Sequence, residues 1–371
     1  MQIAGVRTDL VARLDLQGPL IQAPMAGGST TPELVAAVSN AGALGSLGGA
    51  YLNPIELETA VRQIKTLTQR PFAVNLFTPS AEPVLNENQI QAAISATKGY
   101  RRELGISDPA LRPPFSPNFE EQFSVVLKEP PAVFSFTFGR LDQRFLEECR
   151  KRGILTFGTA TTLEDALALQ ETGVDAVVAQ GAEAGAHRGT SSPEKEDPLI
   201  GLAALIPTLV SRLRIPVIAA GGIMNGRGIA AALALGAQAA QLGTAFLACD
   251  ESGISKPYRA ALLDPKRRVT CLTRAFSGRW ARGLENRFIV EMAAKENAIL
   301  PFPAQNAFTQ DIRKKATQLG LPDYLSLWAG QGVGLIRAMK AGALVETLFK
   351  ETSEVIDIDL AWKRQPHIST D

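Results

Sequence analysis

The chain has 371 residues, 46% hydrophobic and 20% charged, and its 38 Lys and Arg nearly cancel 37 Asp and Glu. That composition describes a soluble globular α/β protein, and the charge balance, with no basic stripe interleaved with aromatics, argues against nucleic acid as a partner. No apolar run approaches the roughly 18 to 20 residues of a bilayer span, and the opening MQIAGVRTDLVARLDLQ has no apolar leader core, so no membrane association and a cytoplasmic location are expected.

Short β-rich apolar runs alternate with helix-period segments along the chain. In order they are LIQAPMA (20–26), ALGSLG (43–48), FAVNLF (72–77), AVFSFT (132–137), LTFGTA (155–160), AVVAQG (176–181), PVIAAGG (216–222) and AAQLGTAF (239–246). The helices between them carry start and stop signals. Thr31 with Pro32, and Asn53 with Pro54, pair a capping side chain with a proline at the first helical position; Thr162 and Asp165 have near capping-box spacing, and Gly173 ends that helix. Strand-helix alternation of this kind predicts a parallel sheet. Eight such units can close into a (β/α)8 TIM barrel without sheet edges, whereas an open doubly wound sheet that binds a dinucleotide would need a GxGxxG after its first strand. None is present.

Two stretches exceed a minimal barrel. Residues 80–129 follow the third strand and residues 251–323 follow the eighth, both leaving from the C-terminal rim, so they are expected to form a helical lid or substrate domain. The barrel is then 1–79, 130–250 and 324–350, with WAGQGVGLIRAMKAGALVETLFKE as the closing helix and 351–371 as a tail. Cys149, Cys249 and Cys271 are widely spaced, with no CxxC pair, and read as small buried hydrophobes; no metal site is expected.

Glycine concentrates at the strand ends that form the rim. The loops after the seventh and eighth strands, AAGGIMNGRG and QLGTAF, place Gly221, Gly222, Gly243 and the Thr244 hydroxyl where barrels often bind phosphate on backbone N–H groups. Asn75, Gln180 and Gln241 add uncharged amides, which donate and accept and so suit the mixed edge of a flavin ring. His187, in AQGAEAGAHRGT, has only small neighbours on its N-terminal side and freedom to reach a ligand; Arg188 next to it reads as structural or solvated, and His367 as an idle tail residue. No GxSxG elbow is present, so a bound cofactor is expected to carry the chemistry.

The order of QAPMAGG, GALGSLGGAY, FAVNLF, SFTFG, QGAEAGAHRGT, IPVIAAGGIMNGRG, GAQAAQLGTAF and LWAGQGVG, from about residue 18 to about 345, resembles class I nitronate monooxygenases, formerly 2-nitropropane dioxygenases. The resemblance implies an FMN-containing barrel that oxidises alkyl nitronates, propionate 3-nitronate foremost, with O2 to carbonyl product and nitrite. It assigns flavin contacts to Asn75, Gln180, Gly185, Gly222, Gln241, Leu242, Gly243 and Thr244, and the active-site histidine to His187. The implied partners are a small-molecule nitronate and O2, with a homodimer left open. The rival reading keeps the fold and flavin but reduces a substrate with NAD(P)H, as flavin-dependent enoyl-acyl-carrier-protein and quinone reductases do. Two positions depart from the family pattern: Ala186 stands where a second glycine is common, and FGRL, with Arg140, replaces a sequence that usually has a proline soon after the glycine.

Overall fold

The computed structural model describes residues 8–191 and 197–363. Its strands in chain order are β1 (Leu20–Gln22), β2 (Gly45–Gly48), β3 (Phe72–Phe77), β4 (Val133–Thr137), β5 (Leu155–Ala160), β6 (Ala176–Gln180), β7 (Ala186–His187), β8 (Val217–Ala220), β9 (Ala239–Leu242), β10 (Thr270–Thr273) and β11 (Ala281–Leu284). Eight of them form one parallel sheet in the order β1-β9-β8-β6-β5-β4-β3-β2. The ring closes between β1 and β2 through a bridge from Ile21 to Leu44. Ladder bonds are sparse at that seam, and the buried Gln22 side chain substitutes for them, accepting from the Ser46 N–H at 2.9 Å and donating to the Ser46 carbonyl at 3.2 Å. The eight expected strands are therefore the observed ones, closed as a (β/α)8 barrel.

Alternation along the strands sorts their side chains. Ile21, Ala73, Val133, Phe157, Val178 and Ile218 fill the barrel interior, and the helix Asp9–Arg13 plugs its N-terminal end with Leu10 and Val11. The opposite faces, such as Phe134 and Phe136, pack on the surrounding helices. Thr31, Asn53 and Thr162 cap their helices as expected, Asn53 in a full capping box with Glu56.

The two insertions share a core in which Tyr100 and Leu104 meet Phe276, Phe288, Ile312 and Tyr324. Arg101, 1% exposed, ties them further by donating to Asp311 at 2.5 Å and to the Phe308 carbonyl at 3.0 Å. They are helical in the main, but β10, β11 and β7 form a small antiparallel sheet that alternation alone did not suggest.

Three boundaries differ from expectation. The helix Phe119–Lys128 packs Phe119, Phe123 and Val126 into the barrel's helical layer, so it is the crossover between β3 and β4 rather than part of the cover. WAGQGVG is not helical: a 3-10 turn spans Gln331–Leu335, and the closing helix begins at Ala341. That helix continues to Lys363, past the expected tail boundary, and at that boundary Glu351 accepts from the Gly226 N–H at 2.8 Å and pairs with Arg337, fastening it to the adjoining barrel helix. His367 lies outside the described residues. Cys149 and Cys249 are buried, while Cys271 in β10 is only half-buried. No described helix is long and apolar enough to cross a membrane.

Candidate active site

Between the C-terminal rim and the cover lies a cleft with about 1300 Å³ of space between protein atoms, part of it open to solvent. Of the residues singled out from the sequence, Asn75, Gln180, Gly185, His187, Gly222, Gln241, Gly243 and Thr244 line this one cleft. Leu242 does not. Its side chain is 1% exposed and faces the helical layer, as strand alternation requires between two cleft-lining neighbours, so only its backbone is near the site.

The loop that carries the histidine is held at several points. Gln180, at the end of β6, donates to the His187 carbonyl at 2.9 Å and accepts from the Gly189 N–H at 2.8 Å. Its amide thus satisfies loop backbone, the plainer of the roles such a group can have, and one N–H remains for a ligand. Arg188 is fully buried and structural: it pairs with Asp197 at 2.7 Å and donates to the Gly181 carbonyl at 2.7 Å. Ala186 and His187 form β7, the edge strand beside β11. Ala186 takes φ +62°, a left-handed conformation in which a Cβ costs about 1 to 2 kcal/mol. The departure from glycine at this position is therefore a strained one.

The His187 Nε2 lies 2.8 Å from Ser277 Oγ. We assign the Ser277 proton to the Arg279 carbonyl at 3.1 Å, and in that arrangement its oxygen accepts from Nε2–H. The Nδ1 lone pair is thereby left without a protein partner among the described residues. Phe77, Phe138, Phe302 and Trp328 surround the ring, with centroids 5.8 to 6.1 Å away. Burial among them, aided by the positive charges of Arg279 and Arg313, pushes the imidazole pKa down to about 3. The histidine is neutral at physiological pH. Phe138, at φ +83°, is a second strained residue at the rim, and the Arg279 guanidinium stacks on its ring at 3.8 Å.

The other end of the cleft is glycine. Gly221 and Gly222 have φ of +136° and +66°. The N–H groups of Gly222, Gly243 and Thr244 meet no acceptor among the described residues. The WAGQGVG segment crosses this end so closely that a Cβ on Gly330 would come within 2.7 Å of the Glu183 carbonyl, and one on Gly332 within 2.5 Å of that of Gly222. Gly330 donates to Thr244 Oγ1 at 2.9 Å and Gln331 to the Glu183 carbonyl at 2.9 Å. Glu183 reaches from the histidine loop to cap the helix Leu202–Val210, whose Gly201 has no capping side chain.

Along the middle, Asn75 donates to Ser135 Oγ at 2.9 Å, and the Gln241 side chain has no partner among the described residues. Sequence reasoning missed Tyr51, Ser277, Arg279, Arg313 and Trp328. Most of these come from the cover, where neither strand position nor glycine spacing marks them; Tyr51 immediately follows a rim stretch identified from its strand and had a signal in its position.

A barrel with its charged and polar groups gathered under a cover at the C-terminal rim is the arrangement of a (β/α)8 enzyme. Comparison with known proteins narrows the class to one family: the chain belongs to the nitronate monooxygenase family, whose sequence profile matches residues 10–351. These are oxidoreductases that act on nitronates. A relative named probable nitronate monooxygenase from Staphylococcus saprophyticus is 41% identical over 352 residues, 94% of this chain and 99% of the relative. Among solved structures, a nitroalkane oxidase from Streptomyces ansochromogenes is 40% identical with a TM-score of 0.89, covering 95% of this chain and 99% of that one. FabK from Thermotoga maritima is 28% identical with a TM-score of 0.74, covering 96% and 99%.

Proposed function

We propose that the protein is an FMN-dependent nitronate monooxygenase that oxidises alkyl nitronates, propionate 3-nitronate foremost, with O2 to carbonyl product and nitrite. The observation that carries this reading is the pairing, in one cleft, of a glycine end with unpartnered N–H groups and a neutral histidine in an aromatic wall.

The residues present fit FMN. Gly222, Gly243 and Thr244 offer N–H groups to a phosphate, in loops where an anion is expected on such a barrel. Gln241, unpartnered, and the remaining N–H of Gln180 suit the polar edge of the ring, with Asn75 beside them. Bound there, FMN would supply the electron acceptor and the reactivity toward O2.

The chain's own groups then do the rest. His187 Nδ1 is placed to take the proton from the α-carbon of a neutral nitroalkane, its basicity restored by the negative charge that bound FMN and the developing nitronate would bring into the cleft, while Ser277 holds Nε2–H. For a preformed nitronate no base is needed, and the anion lies within the aromatic wall around His187. Phe77, Phe138, Phe302 and Trp328 keep water from the reacting atoms. We assign the cover made by residues 80–118 and 251–323 the part of lid.

Anaerobic mixing tests the reading. The purified yellow protein should bleach on addition of propionate 3-nitronate and should not bleach with NADH; admitting O2 should then yield nitrite. Rapid bleaching by NADH with none by nitronate would establish the reductase instead.

A further inference from the structure

Tyr51 follows the end of β2 and lines the cleft. Its hydroxyl is buried and makes no hydrogen bond, the one such side-chain group found among the described residues. A phenol in that condition is costly unless a ligand completes it. The ring meets Phe77 edge-on at 5.5 Å, and Phe77 in turn meets His187 edge-on at 6.1 Å. A ligand that touches both polar groups therefore needs two polar ends.

The surroundings select their charge. Arg313, on the helix Gln310–Leu319 of the cover, is near enough for its charge to act on both Tyr51 and His187. Its guanidinium donates to the Asn306 carbonyl and side chain and to the Thr309 carbonyl, and it forms no ion pair with a carboxylate among the described residues. Burial pushes the phenol up to about 12, so it remains a donor across the working pH range. Asp311 is the carboxylate whose charge reaches Arg313, but it pairs with Arg101, and a neutral O–H donor in the field of Arg313 and Arg279 is the complement of a carboxylate.

We propose that Tyr51 is a specificity-determining residue: its phenol donates to the carboxylate of a short nitronate, in the positive field of Arg313, while the nitronate end meets His187. The inference rests on the function proposed above and names the group that reads the second anion of the substrate.

The test uses the flavin-loaded full chain and two substrates of equal carbon count, propionate 3-nitronate and propyl-1-nitronate. Tyr51→Phe should raise KM for the carboxylated substrate about tenfold or more, the loss of a hydrogen bond to a charged group, and leave both kcat values and the propyl-1-nitronate KM near wild type. Arg313→Gln should act in the same direction on the same substrate alone. Equal effects on both substrates, or none on either, would overturn the proposal. Succinate, titrated against the flavin absorbance without turnover, should bind about tenfold more weakly to Tyr51→Phe; unchanged affinity would also overturn it. A wild-type protein that oxidises neither nitronate sinks the proposed function instead, and the succinate titration still reads Tyr51.

Discussion

Gln180 holds the His187 carbonyl at 2.9 Å with its side-chain N–H and the Gly189 N–H at 2.8 Å with its side-chain oxygen. The last residue of β6 thus clamps its own downstream loop on both sides of the histidine. Gln180→Leu removes both bonds and leaves two backbone groups unsatisfied, at a cost of about 1 to 3 kcal/mol each where they are buried. We expect a lower urea midpoint and a loss of turnover larger than the loss of flavin; a variant with wild-type turnover would show that the loop needs no clamp.

His187→Asn should keep bound FMN and lose most turnover with neutral nitroalkanes, since the amide cannot take the proton. Steady-state rates unchanged on nitroalkanes and nitronates alike would remove the residue from the chemistry.

The depressed histidine also has a signature in stability. Its pKa is about 3 in the fold against about 6.5 unfolded, so between these values the unfolded chain binds a proton that the folded chain does not. Stability falls as pH drops from about 6.5 toward 3, with this residue contributing a slope near 1.4 kcal/mol per pH unit in the middle of the window. Denaturant titrations at pH 7 and pH 5 should show a shallower decline for His187→Asn than for wild type. Parallel declines would mean that the ring is protonated in the fold.

Ala186→Gly should raise stability by about 0.5 to 1 kcal/mol, because the φ of +62° costs an alanine what a glycine does not lose. Thermal melts decide it, and a lower Tm for the glycine variant would show that the methyl contributes more by packing than its backbone loses.

Arg188→Met leaves Asp197, with only 6% of its side chain exposed, as a buried carboxylate without its partner. Removing one member of such a pair costs about 3 to 5 kcal/mol. The expected result is poor folding, and the double variant Arg188→Met with Asp197→Leu should recover most of it; equal instability of the double variant would place the cost in lost packing.

The barrel was legible because each strand announces itself locally, by a short apolar run with a capped helix beside it. Strands β3 and β5 fall on their expected boundaries to the residue. The rim residues followed from the strand ends, and the Leu242 side chain turns away from the cleft for a reason the sequence contained, since alternation points it away from its neighbours. The small sheet was not legible, because β7 has two residues and its pairing with β11 is contact between segments some 90 positions apart. Ser277 and Arg313 were hidden for the same reason. The WAGQGVG segment misled by its helix-compatible ending, whereas its glycines are there for backbone approach to the rim. Arg188 was weighed correctly as structural, and Gln180 combines the structural role with a place in the cleft.

The pairing of β7 with β11 seats the imidazole on the seam between barrel and cover, its backbone held from β6 by Gln180 and its ring held from the cover by Ser277. Traffic that leaves the histidine in place must pass elsewhere around the cover.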